Sequence, residues 1–388
     1  MRESATAQDG APNPTGRLLD GLEGLSTDDL PGHLAEVAAE VGLTDLTLRL
    51  ADLQEQDLVV WPEGDPDPVA IDGTVPGRAF QRGEPVKTED GTWWFPLGDG
   101  SQRLGVMGVR SAVDDDTTRR EAKRLAGLCG LLLLSRSAYS DSVFVRRRRR
   151  PITIPAELRW SLMPPRVMST HRVTVAGLLE PAYEIAGDSF DYALNGDRLH
   201  VAVFDAMGHG LTASRLANLA VTSYRHSRRG GLDLLDTYRA MDRVVAEAFG
   251  EEMFVTGHFA ELDLTSGRLS VLNAGHPHAL VIRGGAAHPL SFDPATPIGL
   301  GYVEAEIAET RLEPDDAVLI HSDGVVEARA AGGEIFGVDR LGDLAVRALA
   351  GGESIPETVR RLVHSVMDHR GMDLEDDATL LMFCRHQI

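Results

Sequence analysis

The spacing of apolar residues changes period several times along the chain, and each change predicts an element. LPGHLAEVAAEVGL (30–43) has apolar positions three and four apart and predicts a helix. LTDLTLRLADL (43–53) alternates like a strand and leads into a second one, DLVVWP (57–62). IDGTVPGRAFQRGEPV (71–86) surrounds a short helix with turn residues, and WWFPLGDGSQRLGVMGVR (93–110) predicts a hairpin about a Gly/Asp turn. Residues 117–137 return to helical spacing. Helix, strands, short helix, hairpin and helix predict an α+β sandwich. Beyond Arg166 strands dominate. HRVTVAGLLEPA precedes a hairpin, and two helices follow it, in LTASRLANLAVTSYRHS and LDLLDTYRAMDRVVAEAF. FVTGHFAELDLTSGRLSVLNAGHPHALVIRGG predicts an antiparallel meander, and DDAVLIHSDGVVEARA a buried strand running into a turn. PETVRRLVHSVMDHR predicts a helix and EDDATLLMFCR a last strand. Two strand-rich blocks, each joined to helices, predict a β-sandwich flanked by helices.

The second block is organised around residues 184–215. Asn195-Gly196, between FDYAL and RLHVAVF, is a strong hairpin signal, because both central residues of such a turn need positive φ. With those two residues as the loop, Leu194 pairs with Asp197 and Asp188 lies opposite Val203. Asp205, two residues farther along, then shares a face with Asp188 as its diagonal neighbour, with α-carbons roughly 7–8 Å apart. Such a pair suits two divalent cations about 3.5–4 Å apart. Ala206-Met207-Gly208-His209-Gly210 follows as a glycine-rich turn opening a helix, where backbone can approach an ion or a phosphate.

Composition narrows the class. With 388 residues, 43% hydrophobic and 25% charged, the chain is long enough for two or three ordinary globular domains. Its net charge of −21 argues against nucleic acid as a general partner. The longest apolar run, Leu125–Leu134, is shorter than the ~20 residues a membrane-spanning helix needs, so no membrane partner is expected. Cys129 and Cys384 are a poor basis for a disulfide framework, which makes a reducing cytoplasm the expected location. No Cys/His pair has the spacing of a zinc site.

Residues 1–26 are polar and Gly/Pro-rich and predict a disordered tail; 27–137 form the sandwich, 138–165 a basic connector and 166–388 the strand-rich domain. The connector carries Arg146–Arg150 and then AELRWSLMPP, a short helix with Leu158 and Leu162 on one face, stopped by Pro164-Pro165. The arginine run is either a solvated linker or an internal latch against the acidic remainder, with nucleic acid or an anionic lipid surface as the competing use. Leucines on the connector need a neighbour, either the strand-rich domain or a second copy of the chain, which predicts a homodimer through the first domain and the connector helices.

Acidic residues recur at strand ends: Asp188, Asp205, Asp323 and the pair Asp376-Asp377. Gathered on one sheet edge they would repel and raise one another's pKa. Two hard cations resolve that repulsion, and oxygen-only ligation points to Mg²⁺ or Mn²⁺.

Two resemblances add to this. GTVPGRAFQRGEPV with the WWFPL…LGVMGV hairpin is similar to the second half of a GAF domain, which implies a sensory or dimerising module over 27–137; Trp93 and Trp94 could line a pocket there. SLMPP, AGDSFD, FDAMGHG, FVTGHFAELD, LNAGHPHALV, ATPIGLG, HSDGVVEA, EIFGVDRL and DDATLLMF closely resemble, in order, the PPM-type (type 2C) metal-dependent protein phosphatases of the bacterial anti-anti-sigma-factor branch. The resemblance implies that Asp205 bridges two metal ions and that the Ala206 carbonyl adds a ligand. Asp188 would serve one ion, and Asp323 and Asp376, with Asp377 beside them, the other. It implies a phosphoserine or phosphothreonine on a STAS-type anti-anti-sigma domain as substrate. Ala186 stands where the family usually has the first glycine of a GGD motif. His209 is open between general acid and turn residue, and His276 and His278 are expected to be structural. The competing functions are a catalytically inactive phosphatase fold used as a binding module and a di-metal hydrolase of small phosphoesters.

Overall fold

The computed structural model describes residues 14–62, 68–98, 102–184, 187–250, 252–301, 305–371 and 377–387. They form two compact units, 1–149 and 150–388.

The first unit runs α1 (Pro14–Asp20), α2 (Leu30–Glu40), β1 (Leu43–Ala51), β2 (Asp57–Trp61), β3 (Val69–Ala70), α3 (Val75–Arg82), β4 (Val86–Lys87), β5 (Trp93–Leu97), β6 (Gly105–Ser111), α4 (Asp116–Arg136) and α5 (Ser142–Arg147). Its strands make one antiparallel sheet in the order β3-β2-β1-β6-β5-β4. Period-two alternation sends Leu48, Leu50, Val59, Trp61, Met107 and Val109 into the core shared with α1, α2 and α4. The intervening Ala51, Leu58 and Val106 meet Phe80 of α3 on the other side. Trp93 and Trp94 part in the same way, one against each core.

Two expectations change here. The disordered tail does not extend to residues 14–20, which are helical with Leu18 fully buried; Arg17 pairs with Glu40, and Arg136 donates to the Leu25 carbonyl. Residues 1–13 lie outside the described residues. The arginine run is partly built into the first unit rather than solvated: Arg146 Nε donates to Val60 O, and Arg147 Nε to Ala51 O at 2.7 Å. These two guanidiniums thus bond backbone carbonyls of β2 and β1.

The second unit runs α6 (Ile154–Leu162), β7 (Val167–Ser169), β8 (Val173–Glu180), β9 (Asp188–Asn195), β10 (Arg198–Ala206), α7 (Gly210–Arg229), α8 (Leu234–Phe249), β11 (Val255–Asp263), β12 (Arg268–Ala274), β13 (Leu280–Arg283), β14 (Ala286–Pro289), β15 (Ala308–Arg311), β16 (Ala317–His321), α9 (Asp323–Val326), α10 (Val338–Ala350), α11 (Ile355–Arg370) and β17 (Ala378–Arg385). Two antiparallel sheets, β15-β12-β11-β10-β9 and β14-β13-β16-β17-β8-β7, pack face to face. Along β17, Leu381 and Phe383 enter the core between the sheets, while Leu380 and Met382 join the core under α10 and α11. On the five-stranded sheet, Val201 and Val203 face inward, and Ala202 and Phe204 face α7 and α8. Both sheets are thus apolar on two faces, which explains the nearly unbroken apolar runs in their central strands. Among the described residues no helix is long and apolar enough to cross a membrane.

The β9–β10 hairpin differs from the predicted register. Asn195 pairs with Arg198, so the loop is Gly196-Asp197 rather than Asn195-Gly196. Gly196 supplies a φ of +59° at the first loop position, as a type II′ turn requires, and Asp197 needs none. Every pairing moves by two residues, which keeps all faces unchanged and brings Asp205 directly opposite Asp188.

Candidate active site

Asp188 opens β9 and Asp205 lies one residue before the end of β10. The flanking bond from Ala206 N to Gly187 O, 3.1 Å, makes 187/206 a hydrogen-bonded pair. Pairs alternate in an antiparallel ladder, so 188/205 is a non-hydrogen-bonded pair with α-carbons about 4.5 Å apart, closer than a diagonal arrangement allows. The other sheet supplies the next carboxylate. Asp377 precedes β17, is 5% exposed, and its Oδ2 accepts from the Asp188 backbone N–H at 3.1 Å. Asp323 begins α9, half-buried, directly after Ser322. Ser322 Oγ donates to Asp377 O at 3.2 Å and accepts from Thr379 N at 3.0 Å, so the two chain turns are joined. The structure therefore brings Asp188, Asp205 and Asp377 together and sets Asp323 beside Asp377. Asp376 lies outside the described residues, as does Ala186.

This junction is electrostatically incomplete. Asp188 is 2% exposed and its Oδ2 has no hydrogen-bond partner. Burial, and then the charges of Asp205 and Asp377, push its pKa well above the carboxylate range. An orphaned carboxylate oxygen among other carboxylates fits a hard divalent cation, and the all-oxygen donor set excludes a preference for softer metals. Backbone is shaped for the same purpose: a Cβ on Gly187 would lie 2.3 Å from Ala206 O, so only glycine leaves that carbonyl clear.

Sequence reasoning missed two charged residues here. Glu180, fully buried at the end of β8, accepts from Ala182 N at 2.8 Å. Arg159 of α6 is 3% exposed; its Nη2 donates to Pro181 O at 3.1 Å, and Nη1 has no hydrogen-bond partner. Burial lowers its pKa, opposed by the negative charges of Asp377, Glu180 and Asp188. The signal was present in AELRWSLMPP: Ala156 and Arg159 are three apart and form the buried face, while Leu158 and Leu162 are only half-buried. An apolar-stripe criterion passes over an arginine on the buried face. The Trp160 indole also anchors α6, donating to Ala182 O at 2.9 Å.

Histidines divide by burial. His209 is exposed in the turn before α7. His276 is 4% exposed and clamped by Asn273, which accepts from its N–H at 2.7 Å and donates to its carbonyl at 2.8 Å. His278 is half-buried against Phe292.

Residues 195–386 match the family model for Stage II sporulation protein E (SpoIIE). The chain is similar to the phosphoserine phosphatase RsbU of Bacillus subtilis (strain 168), 22% identical over 239 residues, covering 60% of this chain and 70% of RsbU. The phosphoserine phosphatase RsbP of the same organism is 23% identical over 167 residues, covering 41% of each chain. Among solved structures, the RsbU and RsbW domains of Rv1364c from Mycobacterium tuberculosis align with a TM-score of 0.50 and 26% identity, over 55% of this chain and 60% of that one. This chain thus spans less than two thirds of the last two. The sandwich, its acidic junction and these relatives agree: residues 195–386 carry a SpoIIE-type domain, similar to the PPM-type protein serine/threonine phosphatases.

Proposed function

We propose that the chain hydrolyses phosphoserine or phosphothreonine on a regulatory protein in the cytoplasm, a STAS-type anti-anti-sigma domain being the substrate, under control of the GAF-like first unit. The observation that carries this is the Asp188–Asp205 pair joined by Asp377 from the facing sheet. Asp205 would bridge two Mg²⁺ or Mn²⁺ ions, with Asp188 and the Ala206 carbonyl on one and Asp323, Asp376 and Asp377 on the other. When bound, such ions lower the pKa of a water toward about 7 and neutralise charge on the phosphoryl oxygens. The chain's own part is to hold carboxylates that cannot relax: Asp188 is fixed from below by the sheet and its N–H is spent on Asp377.

A covalent cysteine route has no support, since burial pushes the thiols of Cys129 and Cys384 up to about 12. Met207 and Leu211, 43% and 51% exposed beside the Asp205 turn, give the site an apolar lip that suits a folded protein better than a small phosphoester. Control would run through α6, whose Leu162 carbonyl accepts from Arg225 of α7. Arg225 in turn bonds Asp191, on the same strand as Asp188. Leu131, 44% exposed on α4, supports a homodimer through the first unit. The test is phosphate release from a phosphorylated STAS domain by the full chain with Mn²⁺, followed by intact mass. Release that stops with chelator supports the proposal; metal binding without release on any phosphoprotein supports an inactive binding module instead.

A further inference from the structure

Away from the acidic junction, Asp315, Cys384 and His386 bring a carboxylate oxygen, a thiol sulfur and an imidazole nitrogen within 4.8 Å of one another. Cys384 lies seven residues along β17 from Asp377, about 23 Å at ~3.3 Å per residue, so this cluster is separate from the candidate active site.

Its backbone is fixed from both sides. Asp315 N donates to Arg385 O at 2.7 Å, and His386 N to Arg172 O at 2.8 Å, which continues the β17–β8 pairing past the strand end. Two-residue spacing in extended chain puts Cys384 and His386 on one side. Asp315 reaches them from the turn before β16 with φ +68°, a left-handed conformation that Asp tolerates and most side chains avoid. The imidazole is oriented as well. His386 Nε2 bonds Thr174 Oγ1 at 2.8 Å, and that hydroxyl bonds Ser169 Oγ at 2.8 Å. With Nε2–H donating, Nδ1 carries the lone pair, and the hydroxyl pair is the outer partner that metal-bound histidines usually have.

We propose that Asp315, Cys384 and His386 form a zinc site, with the fourth position left to water. Thiolate and imidazole donors select Zn²⁺ over the hard cations of the acidic junction. Asp315 is exposed, His386 half-buried and Cys384 buried, so the ion has an entry path and the sulfur is shielded. Binding converts Cys–SH and Zn²⁺ to Cys–S–Zn⁺ and a released proton, so affinity falls as pH falls. The spacing rule failed to flag this site because its third ligand is distant in sequence and the Cys-x-His pair lies on a strand. Zinc here would clip the β15–β16 turn to the strand that leads back to Asp377.

The test uses the full chain with excess Mg²⁺ to fill the acidic junction, titrated with Co²⁺. Cobalt should give one equivalent of thiolate-to-metal charge-transfer absorption in the near ultraviolet, which carboxylates cannot produce, and Zn²⁺ should displace it. Cys384→Ser should abolish the band, Cys129→Ser should keep it, and His386→Ala should weaken cobalt affinity about tenfold or more. Zn²⁺ should raise the melting temperature of the parent but not of Cys384→Ser. Folded parent protein without the band, a band lost in Cys129→Ser instead, or His386→Ala binding cobalt unchanged would each overturn the site.

Discussion

The Asp188 backbone N–H donates to Oδ2 of Asp377 at 3.1 Å, although the two side chains are like-charged and both buried. That bond ties the facing sheets together where their charges most oppose closure. The metal-free state is therefore strained by its own ligands, a condition that can be measured.

Replacing Asp188 with Asn keeps the shape and removes one of the repelling charges. Asp188→Asn should cut p-nitrophenyl phosphate turnover by at least about 100-fold. In chelator it should raise stability by ~1–3 kcal/mol, the cost of an unsatisfied buried group. That corresponds to about 2–4 °C in Tm for each kcal/mol. Wild-type turnover, or a lowered Tm in chelator, would count against the assignment.

Gly187→Ala places a methyl 2.3 Å from the Ala206 carbonyl oxygen, and strand backbone cannot step aside. Turnover should fall about tenfold or more, since small misplacements at reacting centres are costly. The expected stability loss is roughly 1–3 kcal/mol. Matched Mn²⁺ titrations would show whether the defect is in metal affinity.

Arg159→Met removes the buried guanidinium facing Asp377, Glu180 and Asp188. In chelator the variant should lose ~3–5 kcal/mol, as when one partner of a buried pair is deleted. With Mn²⁺ present the loss should shrink, and the apparent metal affinity should rise, because incoming cations no longer meet a resident positive charge. Equal destabilisation with and without metal would show that Arg159 only packs.

The site was legible in the sequence to different depths. The acidic residues stood out because they lie at strand ends, Asp188, Asp323 and Asp376-Asp377 beside glycine or another carboxylate and Asp205 just before a glycine-rich turn. The hairpin's register was missed by two residues because Asn195-Gly196 and Gly196-Asp197 are both credible loops, and the local sequence does not choose between them. The error was harmless to the shared face, since a period-two structure is unchanged by a shift of two. Arg159 and Glu180 were invisible for another reason: nothing local marks a charge as buried when its compensation comes from elements far away in sequence.

Buried histidines contribute to the acid sensitivity of the fold. His258 has a pKa lowered from 6.5 to about 3, by burial first and then by His321 and His278. The unfolded chain takes up that proton first as pH falls. The stability this group contributes is thus complete above pH 6.5 and is lost progressively toward about 3. His276, lowered for the same main reason, adds in the same direction. His258→Leu should flatten the slope of unfolding free energy against pH by up to ~1.4 kcal/mol per pH unit between about pH 4 and 6, measured by urea melts. An unchanged slope would mean that His258 is hydrated rather than buried.

Asp191 has a consequence for how a signal can travel. It is fully buried, Arg225 holds its Oδ1 at 2.7 Å and Arg228 its Oδ2 at 2.7 Å, and the same Arg225 grips the Leu162 carbonyl. A carboxylate in low dielectric loses several kcal/mol as soon as one partner is drawn off, and recovers it only on reaching another. Partial displacement of α6 therefore lies on a barrier rather than a slope. If the proposed control does run through α6, the connector would have a few seats with nothing stable between them, and a stimulus at its far end would be counted rather than weighed.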